Sequence, residues 1–191
     1  MTGVRRTRRG IVVTFDEVEA SLLRHLVGEV CELLAAEADD TPVFRAPVSG
    51  LPTDAELTAL TGLSGDPDEP AEPPVDPALA RLLPDAYRDD AEAAGEFRRL
   101  TESSLRREKV AAAERMLAAL PEDGPGEVRL DPETTETWLA TLNDVRLALG
   151  TRLEVTEEME EPDPEDPDAP AYVVYLWLTE LQGVLLDVAD G

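Results

Sequence analysis

The chain carries one cysteine, Cys31, one histidine, His25, and one lysine, Lys109, in 191 residues. A single cysteine excludes an intramolecular disulfide, and with it a secreted disulfide scaffold. One Cys and one His cannot build a Cys/His metal cluster. They also lie on different faces of what reads as one helix, so they do not form a nucleophile–base pair. Aromatic residues are only 4% of the chain, so the core has to come from Leu, Val and Ala, a composition that favours helices. No apolar run reaches the roughly 18 residues of a membrane span. The basic start, Arg5 to Arg9, is followed only by Gly10-Ile11-Val12-Val13 before Thr14 and Asp16 break the run, which is too short for a signal peptide. The cytoplasm is the location these absences lead us to expect. A phosphate loop, a dinucleotide fingerprint and a G-x-S-x-G elbow are all missing. Carboxylates are so abundant that none stands out as an acid/base pair. The expectation is a non-enzymatic chain without a cofactor or metal.

What the chain has in excess is acid: 42 Asp and Glu against 17 bases, for a net charge of -25. Such a surface repels nucleic acid and anionic membrane and attracts basic proteins. All bases but Lys109 are Arg, which reads as GC-rich coding. Four of them, Arg5, Arg6, Arg8 and Arg9, form a basic flexible arm over residues 1–9. Without interleaved aromatics, and against the global charge, the arm is a weak nucleic-acid signal, and direct DNA binding is not expected.

Residues 10–188 read as a single helical domain interrupted by two acidic, proline-rich segments, 39–77 and 154–170. Ile11 to Phe15 are a short strand. Asp16 and Glu19 have capping-box spacing, and a helix follows to about Ala38. Its apolar stripe runs through Val18, Leu22, Leu26, Val30 and Leu33, flanked by Leu23, Val27 and Leu34. Within 39–77 a short helix over Asp54 to Leu60 fits the pattern. A long helical tract spans about Asp85 to Leu120, with Phe97, Leu100, Leu105, Val110, Ala113, Leu117 and Leu120 as its inward face. Thr101 to Ser104 bend or split it, and its nearly balanced charges form a solvated face. Val128 to Leu130 are a second strand, and Asp131-Pro132 starts a helix carrying Trp138, Leu142, Val145 and Leu149 to a stop at Gly150. The plan of strand, Asp cap and amphipathic helix thus occurs twice, at 13–26 and 128–142. It is either a duplication or convergent helix-start chemistry, and the two strands suit a small ribbon. The last helix, Ala171 to Val188, is apolar over much of its circumference and belongs in the core or at a subunit interface, as in a homodimer. The fold class is mainly α, a helical bundle with a small two-stranded β ribbon.

His25 sits off the apolar stripe as a surface residue. Cys31 lies toward the stripe's edge, partly exposed and open to oxidation, although Glu29, Glu32 and its place late in the helix disfavour the thiolate. The acid run Glu157 to Asp168 lacks EF-hand spacing and the central glycine. It reads as a solvated loop, or as a lure for a basic surface.

Three stretches together, "LLPDAYRDDAEAAGEFRRLTESSLRREK" (82–109), "WLATLNDVRLALGTRL" (138–153) and "GIVVTFDEVEASLLRHL" (10–26), resemble an actinobacterial family once known only as a domain of unknown function and now associated with the oxidative-stress regulator AosR. The resemblance covers roughly residues 10–188 outside the acidic segments, and "LNDVRLALGTRL" is its most specific part. It implies a cytoplasmic transcription regulator acting through a protein partner, such as a sigma factor or RNA polymerase. It makes the charged residues Arg88, Asp89, Asp90, Asn143, Asp144 and Arg146 candidates for interaction, or for a buried ion pair in the case of Arg146. The resemblance associates redox control with a cysteine pair. Here only Cys31 exists, so that switch cannot close within one chain, leaving a bond between two chains or a small-thiol cap. The alternative reading is a proteostasis or structural adaptor that docks through the last helix and leaves Trp177 and Leu181 accessible.

Overall fold

The computed structural model describes residues 3–35, 71–156 and 165–190. Gly3–Thr7 is strand β1, Gly10–Phe15 is β2, and Glu17–Ala35 is helix α1. The short helix α2, Pro77–Leu82, precedes the long α3, Ala91–Ala119; then come β3, Gly126–Leu130, α4, Pro132–Arg152, and α5, Ala169–Asp190. The expected helix at Asp54 to Leu60, most of the acidic segment 39–77 and residues 157–164 of the second segment lie outside the described residues.

The mainly helical expectation agrees with these elements, but the ribbon has three strands and not two. β2 is central in an antiparallel sheet of order β1-β2-β3, pairing Val13 with Val4 on one side and with Val128 on the other. The additional strand is the segment expected to be a flexible arginine arm. Two of its four arginines are engaged within the fold: Arg5 pairs with Glu127 at 3.2 Å, and Arg6 donates to the carbonyls of Val188 and Ala189 in the last turn of α5. Arg8 and Arg9 are exposed. Arginine stems can cover a strand, which charge alone does not reveal. Val12, on the outer face of β2, lies opposite Arg5 and Arg129 in register and is 2% exposed.

The inner face of β2, through Ile11, Val13 and Phe15, meets the core, where Phe15 stacks on Trp138 at 6.1 Å between ring centroids. Asp16 accepts from the Glu19 amide and Glu19 from the Asp16 amide, closing the capping box that starts α1. The buried stripe of α1 is Ala20, Leu23, Val27, Val30 and Leu34: Val30 belongs to the expected stripe, and Leu23, Val27 and Leu34 to its flank. Val18 points to solvent. Tertiary packing chose between two adjacent apolar stripes that periodicity could not separate.

Helix α3 differs most from expectation. It is continuous through Thr101 to Ser104, whose hydroxyls bond back to the carbonyls of Phe97 and Thr101, a local bond that leaves the helix intact. Of the expected inward set, Ala113 and Leu120 are buried and Leu105, Val110 and Leu117 pack partly buried against the core, but the first two residues do not turn inward. Phe97 and Leu100 are exposed, while Arg98 and Arg106 are buried. Arg98 bonds the Ala71 carbonyl and pairs with Asp85. Glu102 pairs with Arg106 at 2.6 Å, and Arg106 reaches the Leu34 carbonyl near the end of α1. One turn on, Lys109 binds both carboxylate oxygens of Asp144 on α4 at 2.6 and 2.8 Å. Ala94, Leu105 and Val110 are interleaved with these charges, and from Ala113 through Met116 to Leu120 the face is apolar throughout.

Helix α4 begins at the Asp131 cap, which accepts from the Thr134 amide. It passes Gly150 and ends at Arg152. Gly150 is there for contact, since a Cβ would come within 3.0 Å of the Tyr175 ring on α5. Helix α2, which begins at the last residue of the expected segment 39–77, has the same Asp-Pro start: Asp76 accepts from the Ala78 and Leu79 amides and pairs with Arg152. Helix α5 sends Leu178, Leu181 and Leu185 inward and leaves Val173, Leu176 and Val184 exposed. By length and composition it is the one described helix able to cross a membrane, with a mean hydropathy of 1.2, but it carries Glu180 and Asp187 and packs on α4 and β1.

Gly10 has φ near 121°, and a Cβ there would stand 2.1 Å from the Leu130 carbonyl oxygen. Gly10→Ala should therefore lower stability in urea unfolding by about 2 kcal/mol or more. The Lys109–Asp144 pair should behave as a coupled unit. Lys109→Met, which leaves a carboxylate buried without its cation, should cost about 3 kcal/mol, and Lys109→Met with Asp144→Leu should recover most of that loss.

Candidate functional site

Residues 83–90 and the first turns of α3 form one surface. Arg98 sets it up from beneath. By gripping Asp85 and the Ala71 carbonyl at once, it holds the loop against α3. Asp90 caps that helix by accepting from the Ala93 amide. Tyr87, carried on the loop, packs edge-on against Phe97 with centroids 6.1 Å apart. Tyr87, Phe97 and Leu100 are about half exposed, and Arg88 and Asp89 are exposed beside them. The crevice between Phe97 and Arg98 is only about 50 Å³, room for a water or two. Half-exposed aromatic and aliphatic side chains beside an arginine, on a rigid clamp, have the chemistry of a macromolecular contact surface.

The six charged candidates therefore separate. Arg88 and Asp89 flank the Tyr87–Phe97 ridge, and Asp90 is a helix cap at its base. Asn143, Asp144 and Arg146 lie on α4. Asp144 is buried and pairs with Lys109. Asn143 accepts from Arg146 at 3.2 Å, and the Arg146 Nε is buried without an acceptor. The ion pair of this stretch is thus made by Asp144. Burial raises the Asp144 carboxyl above 3.8, and the Lys109 hydrogen bond and charge offset this only in part. The folded chain holds that proton more tightly than the unfolded chain. The Asp144 contribution to stability is therefore present at low pH and fades as pH rises through the window just above 3.8.

His25 is exposed. Cys31 is half-buried at the edge of the core. Burial pushes its thiol up, and Glu114 of α3 and Glu32 add to that. Glu114, unlike Glu32, comes from another helix and could not be read from neighbours in sequence. Trp177 is half-buried and Leu181 is 3% exposed, so only one of the two residues named for a docking α5 has an accessible surface. Among the described residues no group of three or more His, Cys, Asp or Glu could hold a metal ion.

A sequence signal for the ridge exists: Arg98, Glu102, Arg106 and Lys109, spaced three and four apart, share the inward face and turn Phe97 and Leu100 outward.

The chain belongs to the family described as a domain of unknown function, DUF2017, whose model matches residues 1–189. Its relatives include proteins named oxidative stress regulator AosR from Mycobacterium tuberculosis and Mycobacterium bovis. Each is 36% identical over 187 residues, covering 91% of this chain and 79% of the relative. A protein named putative oxidative stress regulator AosR from Mycobacterium leprae is 34% identical over 182 residues, covering 88% and 77%. No solved structure matches.

With its thiol raised, Cys31 should react more slowly than glutathione with an aromatic disulfide reagent at pH 8. Glu114→Gln should speed that reaction by removing one opposing charge, as followed by thiolate release.

Proposed function

We propose that this chain is a non-catalytic cytoplasmic regulator of the oxidative-stress response that acts by binding a protein of the transcription machinery, such as a sigma factor or RNA polymerase. The observation that carries the reading is the 36% identity, across 91% of the chain, to proteins named oxidative stress regulators. The Tyr87–Phe97–Leu100 ridge supports it as the place of contact. Acidic residues surround it, with Asp85, Asp89, Asp90 and Glu96 exposed, so the partner surface offers an apolar pocket rimmed by bases. The internal use of Arg5 and Arg6 argues against the N-terminal segment as a DNA contact.

Phe97→Asp and Leu100→Asp alter side chains that are already exposed and should leave the unfolding temperature nearly unchanged. In co-purification from an actinobacterial lysate, wild type should recover a sigma factor or polymerase subunit and the double variant should not. Equal recovery by both would remove the ridge from the reading, and recovery of no transcription protein by wild type would remove the reading itself.

A second reading, a proteostasis or structural adaptor working through α5, is favoured by exposed Val173, Leu176 and Val184. It requires a self-associated or adaptor-bound form that Val173→Asp and Val184→Asp abolish in sedimentation.

A further inference from the structure

On the side of α4 facing α2 and α5, an open cleft of about 450 Å³ is lined by Arg81, Arg146, Gly150, Thr151, Glu154 and Tyr175 among others. Its volume falls in the range of small-ligand sites, about 300–1,000 Å³. Two guanidiniums from different helices reach it. Arg146 is half-buried, donates to Asn143 Oδ1 at 3.2 Å, and keeps Nε buried with no acceptor. Arg81 is exposed at the end of α2. Among the described residues neither has a carboxylate within ion-pair distance. Arg152, on the same helix as Arg146, is by contrast neutralised by Asp76 at 2.6 Å. Two guanidiniums lining one cleft without a neutralising carboxylate favour an anionic occupant.

The backbone at the rim is also unusual. Helix α4 closes with Glu154 N–H bonded to the Thr151 carbonyl and Val155 N–H to that of Gly150. This arrangement puts Glu154 in the left-handed region, with φ of 52°. Glycine is the ordinary residue at such a position. Glutamate there costs conformational energy and sets a carboxylate at the edge of a cleft that holds two cations. Gly150, which lets the Tyr175 ring approach to 3.0 Å of where its Cβ would lie, forms part of the wall.

We infer that this cleft binds a small molecule bearing one oxyanion group, a carboxylate or a phosphate, through Arg81 and Arg146. Planar guanidiniums match either oxyanion. Glu154 keeps the site selective for compact ligands of low charge, because a polyanion would meet its carboxylate. The site is separate from the Tyr87–Phe97 ridge and does not depend on the regulatory reading.

The test uses the full chain, with inorganic phosphate and succinate as probes and sodium chloride at matched ionic strength as the reference. Calorimetric titration and thermal unfolding are read together. At least one probe should bind wild type and raise its unfolding temperature above the chloride reference. Binding of phosphate alone or of succinate alone would assign the oxyanion. Arg146→Gln and Arg81→Gln should each weaken binding about tenfold or more. Arg81 is on the surface, so its variant carries the test if Arg146→Gln fails to fold. Glu154→Gly should tighten binding. Absence of binding by both probes, or wild-type affinity in Arg81→Gln, would overturn the proposal.

Discussion

The structure depends on arginine donating to the carbonyl end of a helix. The last turn of an α-helix leaves carbonyls without intrahelical donors and carries partial negative charge. Three helices meet a guanidinium from elsewhere in the chain at that end: Arg6 of β1 for α5, Arg24 of α1 for α3, and Arg106 of α3 for α1. Each contact joins elements far apart in sequence. Arg6 ties the first strand to the last helix, while α1 and α3 hold each other reciprocally. In a chain so short of bases, three of them are engaged this way, and Arg106 is buried outright.

The second constraint is the two-part inward face of α3. Its C-terminal half is an ordinary apolar contact through Ala113, Met116 and Leu120. Its N-terminal half is ionic, running from Arg98 through Glu102 and Arg106 to Lys109 and Asp144. Buried pairs of this kind contribute little net stability, but they are costly to break, so they fix one arrangement of partners. Here they set where the loop at 83–90 lies, and so where Tyr87 meets Phe97. The exposed ridge is the outer consequence of the inner charges.

This explains which parts were legible in advance. Strands and helix starts were readable because their causes are local. Asp16 with Glu19 and Asp131 with Pro132 act within a turn, and both form as expected. Asp76-Pro77 carried the same signal but was hidden by the prolines and acids around it. Which stripe of α1 turns inward, and which face of α3, are settled by what the rest of the chain presents, and apolarity was the wrong guide where Arg98 and Arg106 had carbonyls and carboxylates waiting. The third strand was lost to the assumption that clustered arginines seek solvent. The raised thiol of Cys31 followed from its neighbours in direction, though Glu114 acts only through tertiary contact.

Lys109 is the sole side-chain amine of the protein, and both oxygens of Asp144 hold it between α3 and α4. Amine-directed reagents therefore have one side-chain amine as target, about a fifth exposed while the pair is made and fully open only when those two helices part. The molecule thus contains its own reporter. The rate at which that amine is modified measures how often the ionic half of the core opens, with no label added and no residue changed.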